Sequence, residues 1–159
     1  MTYRVVATGG TFDYLHRGHE ALLSKSFEIG NEVVIGVTSD AFATREGKAP
    51  DETYRERVKR LKALLRRRFP GRVYTITELD DYFGPGIESP EVEAIVVSEE
   101  TSARVPIANA LRAKKGLAPL QVVVIDYVLA DDAKPISSTR IRRHEIDGQG
   151  RLLGRPLRR

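Results

Sequence analysis

The chain has no cysteine, no tryptophan, one methionine, two asparagines and two glutamines in 159 residues. Without cysteine there is no disulfide, no thiolate metal site and no cysteine nucleophile. No apolar run approaches the roughly 20 residues that cross a bilayer. The N-terminus enters strand-like sequence directly, with no signal-peptide pattern, so a cytoplasmic protein without a membrane partner is expected. Two nucleotide signatures are also missing. No G-x-G-x-x-G follows the first apolar run, and no G-x-x-x-x-G-K-[ST] occurs, which argues against a dinucleotide oxidoreductase and a P-loop ATPase. The scarcity of Met, Asn and Gln beside 30% charged residues resembles thermophile composition.

Twenty-six Lys and Arg against 22 Asp and Glu leave a formal charge of +4. The basic residues gather in separate groups, Arg66–Arg68, Arg140–Arg143 and Arg155–Arg159. No single basic tract marks nucleic acid as the main ligand, and none is expected. The same positive field suits polyphosphate substrates. The length fits one domain with its own core. That domain is read as residues 1–148, followed by a basic tail at 149–159 that is expected to be partly disordered.

Five β-rich runs alternate with helical stretches. Strands are predicted at Tyr3–Thr8, Glu32–Thr38, Arg72–Thr77, Glu93–Ser98 and Leu120–Ile125. Their continuous apolar centres suit strands covered on both faces. Helices are predicted over His19–Ile29 with Gly30 as stop, Tyr54–Phe69, Ser102–Lys115, and from Ser137–Thr139 to about Ile146. Thr53 and Glu56 have capping-box spacing ahead of the second helix. In that helix Val58, Leu61, Leu64 and Leu65 form the buried stripe, while Arg55, Arg57, Lys59, Arg66 and Arg67 read as the solvated face. Asp80–Pro90, with its Gly-Pro-Gly, reads as a loop at the sheet edge. The alternation predicts an α/β fold: a Rossmann-like open parallel sheet of five strands with helices on both faces.

In such sheets ligands bind beyond the carboxyl ends of the strands. Two segments would meet there. Gly9-Gly10-Thr11-Phe12-Asp13-Tyr14-Leu15-His16-Arg17-Gly18-His19 follows the first strand, and Ile136-Ser137-Ser138-Thr139-Arg140-Ile141-Arg142 follows the fifth. Small residues at a strand-to-helix turn let a phosphate approach the backbone, and a helix start presents N–H donors. Asp13 suits local turn capping as well as ligand contact.

Thr-Phe-Asp-x-x-His-x-Gly-His with Ile-Ser-Ser-Thr-Arg-Ile-Arg resembles the H-x-G-H nucleotidyltransferase superfamily over nearly the whole chain. Within it the sequence is similar to the archaeal phosphopantetheine adenylyltransferase family. Ser39-Asp40 leading to Gly47-Lys48, Val97-Ser98-Glu99-Glu100-Thr101, and Arg140–Arg143 before Glu145-Ile146-Asp147 carry that similarity.

The resemblance implies attack by the phosphate of 4′-phosphopantetheine on the α-phosphorus of ATP, with Mg²⁺ entering on the nucleotide rather than at a protein metal site. A phosphate monoester is largely ionised at pH 7, its second pKa being about 6. The nucleophile therefore needs no general base. Catalysis would come from positioning and from stabilising phosphate charge. By resemblance, His19, His16 and Lys48 are the catalytic candidates. ATP is expected against Gly9, Gly10, Thr11, Phe12, His16, Gly18, His19, Ser137, Ser138, Thr139 and Arg140, and the acceptor against Thr11 and Lys48. The bacterial branch carries Arg-Gly-x-Arg after the fourth strand; this chain has Ser98-Glu99-Glu100-Thr101, which makes Arg104 the candidate replacement.

A homo-oligomer is compatible with this reading. The same site with another acceptor would make a flavin mononucleotide adenylyltransferase or a glycerol-3-phosphate cytidylyltransferase. A basic nucleic-acid module on the same fold is the alternative of a different class, marked by steeply salt-dependent RNA binding.

Overall fold

The computed structural model describes residues 3–48 and 50–154. The order of elements is β1 (Tyr3–Gly10), α1 (Arg17–Ile29), β2 (Gly30–Thr38), α2 (Asp40–Arg45), α3 (Tyr54–Arg68) and β3 (Val73–Leu79), then α4 (Gly84–Glu88), β4 (Ala94–Ser98), α5 (Glu99–Ser102), α6 (Val105–Lys114), β5 (Gln121–Ile125) and α7 (Ser138–Arg142). All five strands pair in parallel in the order β3-β2-β1-β4-β5. The expected α/β sheet is therefore present. Its order reverses at β1, where β2 lies on one side and β4 on the other, and a crevice opens at such a reversal.

Alternate residues of the central strands feed two cores. Val6, Val33, Ile35, Val37 and Val96 pack with Leu23 and Phe27 of α1 and with Leu61, Leu64 and Leu65 of α3. Val5, Ala7, Ile95 and Val97 pack on the other face with Val105 and Leu120. Edge strand β5 departs from the expectation of two covered faces: Val122 and Val124 are 42% and 46% exposed. A run of valines has the same composition at an edge as at the centre, and topology decides which it becomes. No helix among the described residues is long and apolar enough to cross a membrane.

The local differences from the sequence reading have identifiable causes. Helix α1 begins two residues early because His16 caps it. It ends at Gly30, which is extended (φ −119°) rather than left-handed, and β2 starts at that residue. A Cβ there would lie 2.7 Å from Val6 Cγ2, so glycine permits the helix end to press on β1. The predicted loop at 80–90 contains α4, started by Phe83 in the left-handed region (φ 78°). The helix predicted at 102–115 is present as α6, starting at Val105 after the separate short α5, with Pro106 in its first turn, where its missing N–H costs no helical bond.

Helix α7 stops at Arg142 rather than reaching Ile146. His144 turns left-handed (φ 58°), and Ile146 instead bridges antiparallel to Leu152. Backbone bonds from Asp147 to the Arg151 carbonyl and from Leu153 to the Glu145 carbonyl complete a hairpin. Residues 149–154 are thus folded back on the domain, and Arg155–Arg159 lie outside the described residues.

Arg57 corrects the sequence reading most sharply, because it is fully buried rather than solvated. Its guanidinium donates to the carbonyls of Thr11 (2.6 Å) and Glu52 (3.2 Å) and to Asp40 Oδ1 (2.9 Å). One side chain of α3 thereby fixes the turn after β1 and the start of α2. The sequence held the signal: Arg57 precedes Leu61 by four residues and shares its helix face.

Candidate active site

The turn after β1 is built on two left-handed residues, Phe12 (φ 56°) and Tyr14 (φ 47°). Side-chain-bearing residues rarely adopt this region. Here Phe12 is held by burial, its ring only 1% exposed. The turn delivers the chain to α1 at His16, where the two histidines form a reciprocal cap. His16 Nδ1 accepts from the Gly18 backbone N–H (3.0 Å), and His19 Nδ1 accepts from the His16 backbone N–H (3.2 Å). This is a capping box in which imidazoles replace the usual hydroxyl and carboxylate. The rings stack with centroids 3.9 Å apart, and Phe12 lies 5.2 Å from His19.

The cap has a chemical consequence. A nitrogen that accepts a hydrogen bond carries no proton, so each neutral ring is left with its proton on Nε2. Burial lowers the His16 pKa to about 4, and lowers that of His19 well below the usual value, with His16 as a second contributor. Both rings are therefore neutral Nε2–H donors at pH 7. Gly18 is required by this arrangement, since a Cβ there would lie 2.7 Å from His16 Cε1 and 2.9 Å from Nδ1.

The serine segment reaches the same crevice, as expected. Ser137 Oγ caps α7 at the Arg140 N–H (3.2 Å), and Ser138 Oγ donates to the Asp13 carbonyl across 125 residues of sequence. Arg140 is placed elsewhere than at the crevice. Its guanidinium is taken by Asp132, by Glu145 (3.0 Å) and by the Pro135 carbonyl (3.1 Å). That ion pair lowers the Asp132 pKa. Arg140 thus braces the loop that presents Ser137–Thr139. Arg142 is the arginine that faces the turn, with Nη2 2.8 Å from Asp13 Oδ2.

Beside the turn, on the β4–α6 face of the sheet, lies a cleft of about 460 Å³. Its floor includes Ala7, Gly9, Gly36 and Ile95, and Thr11, Lys48, Arg104 and Thr139 line it. Gly9 pairs with Gly36 across β1 and β2, and side chains at either position would crowd this space. A Cβ on Gly9 would meet the Gly36 carbonyl oxygen at 3.1 Å, and one on Gly36 would meet Leu79 Cδ1 at 2.5 Å. Gly10 is less constrained, its nearest neighbour being the Phe12 ring at 3.5 Å.

Lys48 stands at the cleft, half-exposed and 3.7 Å from Glu100. The Arg104 guanidinium sits 3.7 Å from the Tyr82 ring centroid, while the Tyr82 hydroxyl bonds Glu46. The chain Glu46–Tyr82–Arg104 crosses the cleft wall from α2 to α6. Tyr82 and Glu46 were not singled out from sequence, because nothing local to either residue indicates their meeting. Neither histidine is among the residues lining the cleft. His16 borders a separate groove lined in part by α3.

A parallel sheet that reverses at β1, with a histidine-capped helix and a serine-bearing turn at its carboxyl end, is the geometry of a nucleotidyltransferase. The cytidylyltransferase-like family model matches residues 7–144. Among its relatives, the phosphopantetheine adenylyltransferase of Methanothermobacter thermautotrophicus is 45% identical over 96% of this chain and 92% of its own length. That of Methanopyrus kandleri is 43% identical over 92% and 93%. A crystal structure of a protein of unknown function from Archaeoglobus fulgidus superposes with a TM-score of 0.69 at 28% identity, covering 79% of this chain and 90% of that one. The chain belongs to the phosphopantetheine adenylyltransferase family of nucleotidyltransferases.

Proposed function

We propose that this protein transfers AMP from ATP to 4′-phosphopantetheine, giving dephospho-coenzyme A and pyrophosphate. The observation that carries the reading is the reciprocal histidine cap on the turn whose Gly9–Thr11 line a cleft of about 460 Å³ together with Lys48 and Arg104. The relatives are named for this reaction, and the site has the chemistry it needs. The bond formed joins the acceptor phosphate oxygen to the α-phosphorus, and the bond broken releases pyrophosphate. Charge builds on the α-phosphate and the leaving group, so fixed neutral donors and cations are the useful groups.

In this reading Nε2–H of His19 donates to the α-phosphate and that of His16 to the polyphosphate. Lys48 leaves Glu100 to bridge the acceptor phosphate and the α-phosphate, and Thr11 donates to the acceptor. Gly9, Gly10, Phe12 and Gly18 shape the backbone around the phosphates, and Ser137, Ser138 and Thr139 receive the β- and γ-phosphates. Arg140 acts by bracing that segment. Arg104, stacked on Tyr82, serves the pantetheine arm. Magnesium arrives on ATP, since Mg²⁺ commonly keeps waters and binds through substrate phosphates.

The test supplies ATP or CTP with 4′-phosphopantetheine, flavin mononucleotide or glycerol 3-phosphate, and follows pyrophosphate release and the nucleotidylated product. Dephospho-coenzyme A from ATP and phosphopantetheine alone is expected. Turnover with another acceptor and none with phosphopantetheine would overturn the assignment.

A further inference from the structure

We propose that buried Asp13 and part-buried Arg142 form a latch that holds the histidine turn and the serine segment in register. Both are positioning residues for the nucleotide's phosphates, and the proposal rests on the adenylyl-transfer reading above. Asp13 is 2% exposed, and its Oδ2 accepts from Arg142 Nη2 at 2.8 Å across 129 residues of sequence. Ser138 Oγ bonds the carbonyl of the same aspartate. Ser138 and Arg142 are four residues apart on α7, so one face of that short helix docks on one residue of the turn. The Arg142 guanidinium also lies 5.7 Å from the Tyr14 ring centroid, with Nε 3.7 Å from Asp51 Oδ2, and Tyr14 bonds Asp51.

The placement favours registry over ligand contact. Asp13 lies between the two left-handed residues of the turn and three residues before His16. A carboxylate offered to a triphosphate would repel it, whereas here its charge is matched by Arg142. One arm of the arginine fork, Nη2, is committed to this pair. Asp13 Oδ1 and Arg142 Nε are buried without a hydrogen-bond partner among the described residues. Such a partly satisfied network is a poor device for stability alone, where an apolar pair would serve as well. What the pair supplies is direction: it fixes Ser138 and Thr139 relative to His16 and His19.

The test uses the full chain and four variants: Asp13→Asn, Arg142→Gln, Arg142→Lys and the double Asp13→Asn/Arg142→Gln. Thermal unfolding, ATP affinity by calorimetry, kcat and both KM values are measured for each. Displacement of reacting groups by about 1 Å costs on the order of 10²-fold. The Asn and Gln variants should therefore lose about that in kcat/KM for ATP, while the acceptor KM stays within about 3-fold on the same argument.

The double variant should be no more than about 3-fold worse than the worse single, since both remove one interaction. Arg142→Lys should recover part of the loss. If Arg142→Gln does not fold, Asp13→Asn and Arg142→Lys with their double form the cycle. Additive losses would overturn the latch, as would singles that unfold at lower temperature yet keep wild-type kcat and KM. A wild-type protein that binds ATP but makes no dephospho-coenzyme A would refute the adenylyl-transfer reading. The ATP-affinity cycle would then still decide the latch.

Discussion

Replacing Gly18 with alanine adds one methyl group, and the histidine cap decides what it does. The new Cβ would stand 2.7 Å and 2.9 Å from His16 Cε1 and Nδ1, closer than van der Waals contact allows. The imidazole must swing away and release the Gly18 N–H. Loss of an N-cap costs about 1 kcal/mol. Alanine in place of glycine within a helix returns up to about 1 kcal/mol, so the net change in stability should stay within about 1 kcal/mol. Turnover responds differently, because the displaced ring no longer aims its Nε2–H and the stacked His19 loses its neighbour. Loss of one preorganised donor is worth about 10²–10³-fold in kcat, and a fall of about 10²-fold is expected. Steady-state kinetics and calorimetric unfolding of the same preparation make the test. Wild-type turnover in Gly18→Ala would refute the cap's role. A destabilisation of several kcal/mol would show that the His16 ring has no room to move aside.

Other consequences can be checked in parallel. His19→Ala should lower kcat by about 10²–10³-fold with a smaller effect on ATP affinity, read by steady-state kinetics and calorimetry. The folded His16 pKa of about 4 lies below the unfolded value near 6.5. Its contribution to stability is therefore fully present above pH ~6.5 and lost as pH falls toward ~4, at up to about 1.4 kcal/mol per pH unit. Denaturant melts between pH 4 and 7 measure that slope, and a flat profile would contradict the buried neutral ring. The acid limb of kcat/KM for the acceptor should follow the phosphate's second pKa of about 6 and keep its midpoint in His19→Gln. Arg57→Met removes the donor from the Thr11 and Glu52 carbonyls and should cost about 2–4 kcal/mol in chemical unfolding. Gly36→Ala, which forces Leu79 to move, should raise the acceptor KM with little change for ATP, as two-substrate kinetics would show.

Much of the fold was legible because it is written in local pattern. The valine-rich strands, the glycine stops and the stripe of α3 depend on neighbours in sequence, and all five predicted strands are present within a few residues of their expected bounds. Charge was harder to read. Arg57 looked like one of five surface cations and is a buried staple, because its fate depends on where Thr11 and Asp40 come to rest. Arg140 and Arg142, two residues apart, point to different neighbourhoods: one braces the 132–145 loop and the other meets Asp13. The α7 boundary was misplaced for a related reason, since Ile146 finds its partner in Leu152 rather than in the next helical turn.

The sequence by itself carried a family resemblance in two motifs, and its local pattern determined the parallel sheet and the two segments that meet at its carboxyl end. That pattern depends on residue types at fixed spacing, which short-range sterics and capping preferences read directly. Only the tertiary structure decided that His16 and His19 cap one another and so carry their protons on Nε2, and that a buried aspartate joins the turn to a helix 129 residues away. A side chain's hydrogen-bond partners are set by which elements the sheet brings together, and that proximity is a property of the assembled fold.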